Sequence, residues 1–264
     1  MSFAPAAGTP AATTIHTDTQ GLSQGDFELP VAGGTQQAYY AAPADVKGAP
    51  LVLVVQEIFG VHEHIKDVCR RLAKAGHFAV SSNLYQRQGD ASAYTDIAKL
   101  VAEIVAKVPD EQVYADLDAA VAWAATQGAD VLRLGITGFC WGGRITWMYA
   151  AQNPKVKAGV AWYGKLASGH GPLITSVAFD IADRLHGPVL GLYGAQDHSI
   201  PLEDVRTMQA KLAEGNAASK ASHFVVYPDS GHAFLADYRP SYNAADAKDG
   251  WARMLSWFDR YLTT

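Results

Sequence analysis

Gly138-Phe139-Cys140-Trp141-Gly142-Gly143 is the stretch whose reading decides the fold. It follows the apolar run Val131-Leu132-Arg133-Leu134-Gly135-Ile136-Thr137, predicted as a buried strand, and precedes Arg144 to Gln152, predicted as a helix. Strand, glycine-flanked turn and helix together form the setting of a nucleophile elbow, where a strained bend lifts one side chain above a sheet. Residues two before and two after that side chain must be small, because a larger group collides with neighbouring backbone. Gly138 and Gly142 occupy those positions, and the group between them is the thiol of Cys140.

Outward from the elbow, strand-like and helix-like segments alternate. Leu51 to Gln56, Phe78 to Val80, Val156 to Tyr163, Pro188 to Gly194 and His223 to Tyr227 read as strands. Helices are predicted from about His62 to Ala75, Tyr94 to Val108, Asp110 to Gln127, Leu202 to Leu212 and Ala244 to Tyr261. Phe27 to Leu29 and Gln37 to Tyr40 read as short edge strands around Gly33-Gly34. This order predicts an α/β-hydrolase fold: a mostly parallel central sheet flanked by helices on both faces. Residues 1–20, rich in Ala, Thr, Pro and Gly, are expected to form a flexible arm, and 21–264 a single domain.

Composition narrows the function classes. The 264 residues are 49% hydrophobic, as in ordinary globular proteins, with a net charge of -5. That charge lacks the basic excess of a nucleic-acid binder. The longest aliphatic run, Leu51 to Val55, is too short to span a bilayer, so no membrane partner is expected. No Lys or Arg precedes Lys47, which argues against a basic targeting segment. Two cysteines, Cys69 and Cys140, do not make a disulfide framework, and a free thiol at an active turn suits the reducing cytoplasm. Cys69, among the apolar positions of a predicted helix, reads as a buried filler.

A nucleophile elbow calls for an acid and then a histidine later in the chain, each past the end of a strand. Asp197, in Gly194-Ala195-Gln196-Asp197, and His232, in Gly231-His232-Ala233-Phe234, meet both conditions. Asp229 is a rival acid, though so near His232 that turn formation explains it better. A free thiol with a pKa of about 8.5 is only a few per cent ionised at neutral pH. A helix N-terminus contributes at most about 2 kcal/mol, so an imidazole partner is needed as well. Glu57 ends the strand before the predicted His62 helix and would stand on the same rim, where a carboxylate could hold or remove the thiol proton. The backbone N–H groups of Ile58 and Trp141 are candidate oxyanion donors. His62-Glu63-His64 could suggest a metal, but a two-residue spacing puts the rings on different helix faces, so solvent-facing positions and no metal site are expected. Trp162 and Tyr163 end a strand on the active rim and are candidate pocket walls. Arg87 either binds an anionic group or pairs with a surface carboxylate.

The motifs Gln56-Glu57-Ile58-Phe59-Gly60-Val61, Leu84-Tyr85-Gln86-Arg87-Gln88, Gly138 to Gly143, Gly194 to Asp197 and Gly231 to Phe234 resemble those of the dienelactone hydrolases, or carboxymethylenebutenolidases. The resemblance covers roughly residues 25–262. It implies Cys140 as nucleophile, Asp197 and His232 as its partners, and Glu57 as regulator of the thiol proton. It also implies a pocket including Tyr85, Arg87 and Phe234, a small-molecule ester or lactone as substrate, a monomer, and no cofactor. Ala236 stands where the family carries a carboxylate-binding Arg four residues after the histidine; Arg239 is out of register, and Tyr94 to Val108 holds no Arg. Those absences shift the expectation towards neutral esters or lactones. A non-catalytic thiol switch or ligand-binding protein on the same scaffold is the alternative reading.

Overall fold

In the computed structural model, which describes residues 3–263, the aliphatic runs of the sequence become the inner strands of one eight-stranded sheet. The elements are β1 (Leu22–Val31), β2 (Gly34–Pro43), β3 (Pro50–Val55), α1 (Glu63–Lys74), β4 (Phe78–Ser82), α2 (Ile97–Glu103), α3 (Asp110–Thr126) and β5 (Asp130–Phe139). They continue as α4 (Trp141–Gln152), β6 (Val156–Trp162), α5 (Ala178–Ile181), β7 (Val189–Gly194), α6 (Leu202–Glu214), α7 (Ala217–Ala221), β8 (His223–Tyr227) and α8 (Ala244–Tyr261). The strand order is β1-β2-β4-β3-β5-β6-β7-β8. β1 and β2 run antiparallel to their neighbours and all later pairs are parallel.

Helices cover both faces of this sheet. A Cβ on Gly159 of β6 would meet Thr146 of α4, whereas Trp162 of the same strand packs against Gly250 of α8. Residues three apart on a strand point to opposite faces, so α4 and α8 lie on opposite sides. Tyr149 of α4 donates to Asp118 of α3, and Arg71 of α1 lies over Trp251 of α8, which places α3 beside α4 and α1 beside α8. This is the α/β-hydrolase arrangement. Among the described residues, no helix is long and apolar enough to cross a membrane.

The short helices α5 and α7 have no counterpart in the sequence reading, and three larger regions differ from it. The first two strands are ten residues each, paired throughout from Leu22↔Pro43 to Val31↔Gly34, instead of short. Their polar ends hid them, while stacking of Phe27 on Trp123 at 3.7 Å, with Tyr40 edge-on, anchors the hairpin to α3. The predicted helix over Tyr94 to Val108 is broken: Asp96 accepts from the Lys99 N–H at 2.7 Å to cap α2, which ends at Glu103 and is followed by a 3-10 turn over Val105–Lys107.

The third region is the arm. Ala4 and Ala6 are buried, and residues 3–20 lie docked across α1 and the turn containing Asp237 and Tyr238. Ala11 N–H donates to the Tyr238 carbonyl at 2.9 Å, and Thr13 Oγ1 to the Asp237 carbonyl at 2.6 Å. Thr17 N–H donates to Asp67 of α1 at 2.6 Å and its carbonyl accepts from Arg70 Nε at 3.1 Å. A low-hydrophobicity segment reads as flexible because it has little apolar surface to bury, yet here its backbone satisfies buried charges on α1. Residues 1 and 2 lie outside the described residues.

At the junction of β5 and α4, Cys140 adopts φ 56°, a left-handed conformation that a non-glycine residue enters only under tertiary constraint. The backbone of the turn passes directly over β3: a Cβ on Gly142 would sit 2.5 Å from the carbonyl oxygens of both Val55 and Gln56. Gly142→Ala is therefore expected to lose about 1–3 kcal/mol or more of stability, read as a lower urea midpoint with an unchanged slope.

Candidate active site

Parallel strands bring their carboxyl ends to one rim, and there the chain gathers groups that are far apart in sequence. Asp197 follows β7, and His232 lies in the loop after β8. His232 Nδ1 and Asp197 Oδ2 are 2.6 Å apart, and the other Asp197 oxygen accepts from the Ser199 hydroxyl at 2.6 Å and the Ser199 N–H at 2.9 Å. The ring lies beside the Ser199 hydroxyl at 3.3 Å and shares one cavity with the Cys140 thiol. Burial alone disfavours a charged ring, but the Asp197 hydrogen bond and the neighbouring Cys140 outweigh it and raise the His232 pKa to about 10. Burial opposes charge on Asp197 too, and the His232 hydrogen bond overcomes it, holding the carboxyl below its ordinary range. Asp229 is exposed, and the ring is held by Asp197.

Cys140 opens into a cavity of about 280 Å³. Glu57, Ile58 and Phe59 line it together with Trp141 and Tyr163, and Ile97 and Val101 of α2 add apolar surface. Lys165, His170 and Arg239 also line it, and the Arg239 guanidinium lies over the Phe59 ring at 5.6 Å. Trp141 begins α4, so its N–H has no partner within the helix, and Ile58 lines the same cavity. Arg144 reaches the cavity too, but its guanidinium is committed to Asp110 at 2.8 and 2.7 Å and to the Ser176 carbonyl. Burial and the neighbouring Lys165 charge lower the His170 pKa to about 4, leaving that ring neutral.

Glu57 is almost wholly buried, and its Oε2 receives the Tyr238 hydroxyl at 2.8 Å and faces His62 Nε2 at 3.1 Å. Burial would raise its pKa; the His62 hydrogen bond, the nearby histidines and the Tyr238 hydrogen bond reverse this and lower it to about 2. Burial holds His62 below its ordinary value despite the carboxylate. An ionised Glu57 thus takes its proton donor from His62 Nε2, and these hydrogen bonds, not one to the thiol, anchor Oε2. His62 and His64, expected in solvent, are both buried: His64 Nδ1 meets Asp237 at 3.2 Å. The arm and the Tyr238 turn cover the start of α1, which is why helix position alone misplaces them.

Of the five side chains expected along the pocket, Tyr163 lines it; its ring meets His232 edge-on at 5.2 Å and its hydroxyl has no partner among the described residues. Arg87 does not: it grips Asp116 of α3 through two bonds of 2.6 and 2.8 Å and donates to the Ala32 carbonyl. Trp162 and Phe234 are core residues that pack edge-on against Tyr163, their own rings tilted and 5.8 Å apart. Tyr85 lies one layer back, fully buried and edge-on to Trp141 at 4.9 Å. Ser199, two residues past Asp197, carried a local signal in its turn position. His62, Tyr238, Lys165 and His170 carried none, because only tertiary packing delivers them.

A family model described as "Dienelactone hydrolase family" matches residues 36–262. A relative from Salmonella typhimurium named "Putative carboxymethylenebutenolidase" is 56% identical over 260 residues, covering 98% of this chain and 95% of that one. A relative of the same name from Methylorubrum extorquens is 57% identical over 252 residues, covering 95% and 86%. The crystal structure of a "Putative Dienelactone Hydrolase" from Klebsiella pneumoniae superposes with a TM-score of 0.87 at 54% identity, covering 91% of this chain and 99% of that one. The family model thus begins after the arm, whereas the Salmonella alignment extends into it.

The His232–Asp197 pair makes stability depend on pH with a definite sign. A histidine raised from about 6.5 when unfolded to about 10 when folded stabilises fully below the lower value and loses that contribution as pH rises to the upper one. The stability gap between the wild type and Asp197→Asn is expected to be widest near pH 6 and to shrink steadily towards pH 10, measured by urea unfolding across that range.

Proposed function

Because the chain belongs to the dienelactone hydrolase family, we propose that it hydrolyses carboxylic esters or lactones through a Cys140–His232–Asp197 triad and a thioester acyl-enzyme. The observation that carries this reading is the Asp197–His232 hydrogen bond set in the same cavity as a thiol on a strained turn. Asp197 accepts the Nδ1 proton and favours the charged ring, so the other ring nitrogen already holds the proton drawn from the thiol when the sulfur attacks the carbonyl carbon. The N–H groups of Trp141 and Ile58 receive the oxyanion, each worth about 2.7–4 kcal/mol of barrier. Imidazolium then protonates the departing oxygen, and the thioester forms. Water, deprotonated by the same ring, attacks the thioester; the carbonyl reforms, the acid leaves and the thiol is restored. Every group in this cycle comes from one chain, consistent with action as a monomer, and a reduced thiol nucleophile suits the cytoplasm.

The cavity modifies the substrate expected from sequence. Arg239 and Lys165 line it and enter no ion pair among the described residues, while Ile97 and Val101 stand where arginine was sought. A substrate with an anionic substituent towards Arg239 and Lys165, and an apolar part against α2, fits this wall chemistry better than a wholly neutral one.

Cys140→Ala is expected to lower turnover of a p-nitrophenyl ester by about a thousandfold or more. Mass spectrometry of wild type should show an added acyl group on Cys140; undiminished turnover of the variant overturns the thiol mechanism. Arg239→Met is expected to raise KM for a carboxylated ester about tenfold or more while leaving that for a neutral ester little changed. Equal effects on both substrates would remove Arg239 from anion recognition.

A further inference from the structure

The N-terminal segment does more than cover α1. The Phe3 ring packs edge-on to His62 at 5.6 Å and against Tyr238 at 5.2 Å, and these are the two side chains whose hydrogen bonds hold Glu57. Eight and ten residues on, the segment bonds the backbone of the same turn: Ala11 N–H to the Tyr238 carbonyl and Thr13 Oγ1 to the Asp237 carbonyl. Asp237 in turn joins His64 and Arg71 of α1. Thr17 closes the circuit on Asp67 and Arg70. Phe3 does not line the cavity around Cys140; it lies on the far side of the Glu57-to-Gly60 loop. From this geometry we propose that residues 3–17 form a strap that positions Glu57 in the active site by clamping His62 and Tyr238, with Phe3 as its principal positioning residue.

The physical argument is one of rotamer restriction and exclusion of water. A buried carboxylate remains ionised only while hydrogen-bond donors offset its desolvation, so the placement of those donors fixes where its charge sits. His62 and Tyr238 belong to different segments, one leading into α1 and one beyond β8, and Phe3 is a side chain that touches both rings. Five titratable groups surround Glu57, namely His62, His64, Tyr238, Tyr163 and Tyr85, and Cys140 and Arg239 share its cavity. With Phe3 truncated, two of the five lose their outer packing, and Glu57 is freed to reorient within the cavity it shares with Cys140.

This inference rests on the thiol-hydrolase reading, and a double-mutant cycle separates the two. The wild type, Phe3→Ala, Glu57→Gln and the double variant are compared by ester turnover and by iodoacetamide alkylation of Cys140 across about pH 5–9. Phe3→Ala is expected to lower kcat about three- to tenfold with KM within about twofold, and to displace the alkylation profile along the pH axis. Both effects should vanish in the Glu57→Gln background, and Phe3→Tyr should restore the wild-type values. Thr13→Val, which removes the bond to the Asp237 carbonyl, is expected to act in the same direction and serves if Phe3→Ala does not fold. Additive losses in the double variant, or an unaltered kcat and alkylation profile, overturn the strap. Alkylation requires no turnover, so the strap is tested even where the hydrolase reading fails.

Discussion

The structure depends on how closely backbone can approach backbone at the β5–α4 turn. Gly142 passes over the ends of β3, and Gly143 and Gly164 meet with no space for a side chain between them. That contact holds Cys140 at a left-handed φ and directs its thiol out of the sheet, with the Cys140 N–H bound to the Trp162 carbonyl of β6 at 3.0 Å. Because β3, β5 and β6 are adjacent and parallel, the same approach brings the Glu57 loop to one side of the sulfur and Tyr163 to the other. A close-packed junction of this kind transmits displacements with little give, so the geometry of the nucleophile is inherited from the sheet.

Two carboxylates on that rim hold their charges for different ends. Asp197 is tied to the imidazole, so its charge supports a positive ring against the thiol. Glu57 is tied to His62 and Tyr238, and its charge is spent on groups behind the site. Both are buried, and both stay ionised because hydrogen bonds exceed the desolvation cost. The separation of roles follows from their partners alone, since the residue types are nearly the same.

The layer behind Glu57 joins elements from across the chain. Glu63, Asp67 and Arg70 form a buried ion network on α1 that reaches the arm through Thr17, and Arg71 and His64 extend it to Asp237. Such a network contributes little net stability, because desolvation offsets attraction. What it supplies is a fixed geometry for the turn carrying Tyr238.

Sequence by itself determined the order of strands and helices, the elbow, and the identities of Cys140, Asp197 and His232 as residues that a strand rim would bring together. These were legible because hydrophobic periodicity and turn glycines are local signals. Tertiary structure alone decided which other side chains face the thiol. Arg87 and Arg239 look alike in the sequence, yet one is captured by Asp116 and the other is presented to the cavity. His62 follows the polar pattern of an exposed helix start and is buried because a segment some sixty residues earlier folds over it. Burial is a property of what packs on a residue, and for these positions the covering groups come from elsewhere in the chain, beyond the reach of any local pattern.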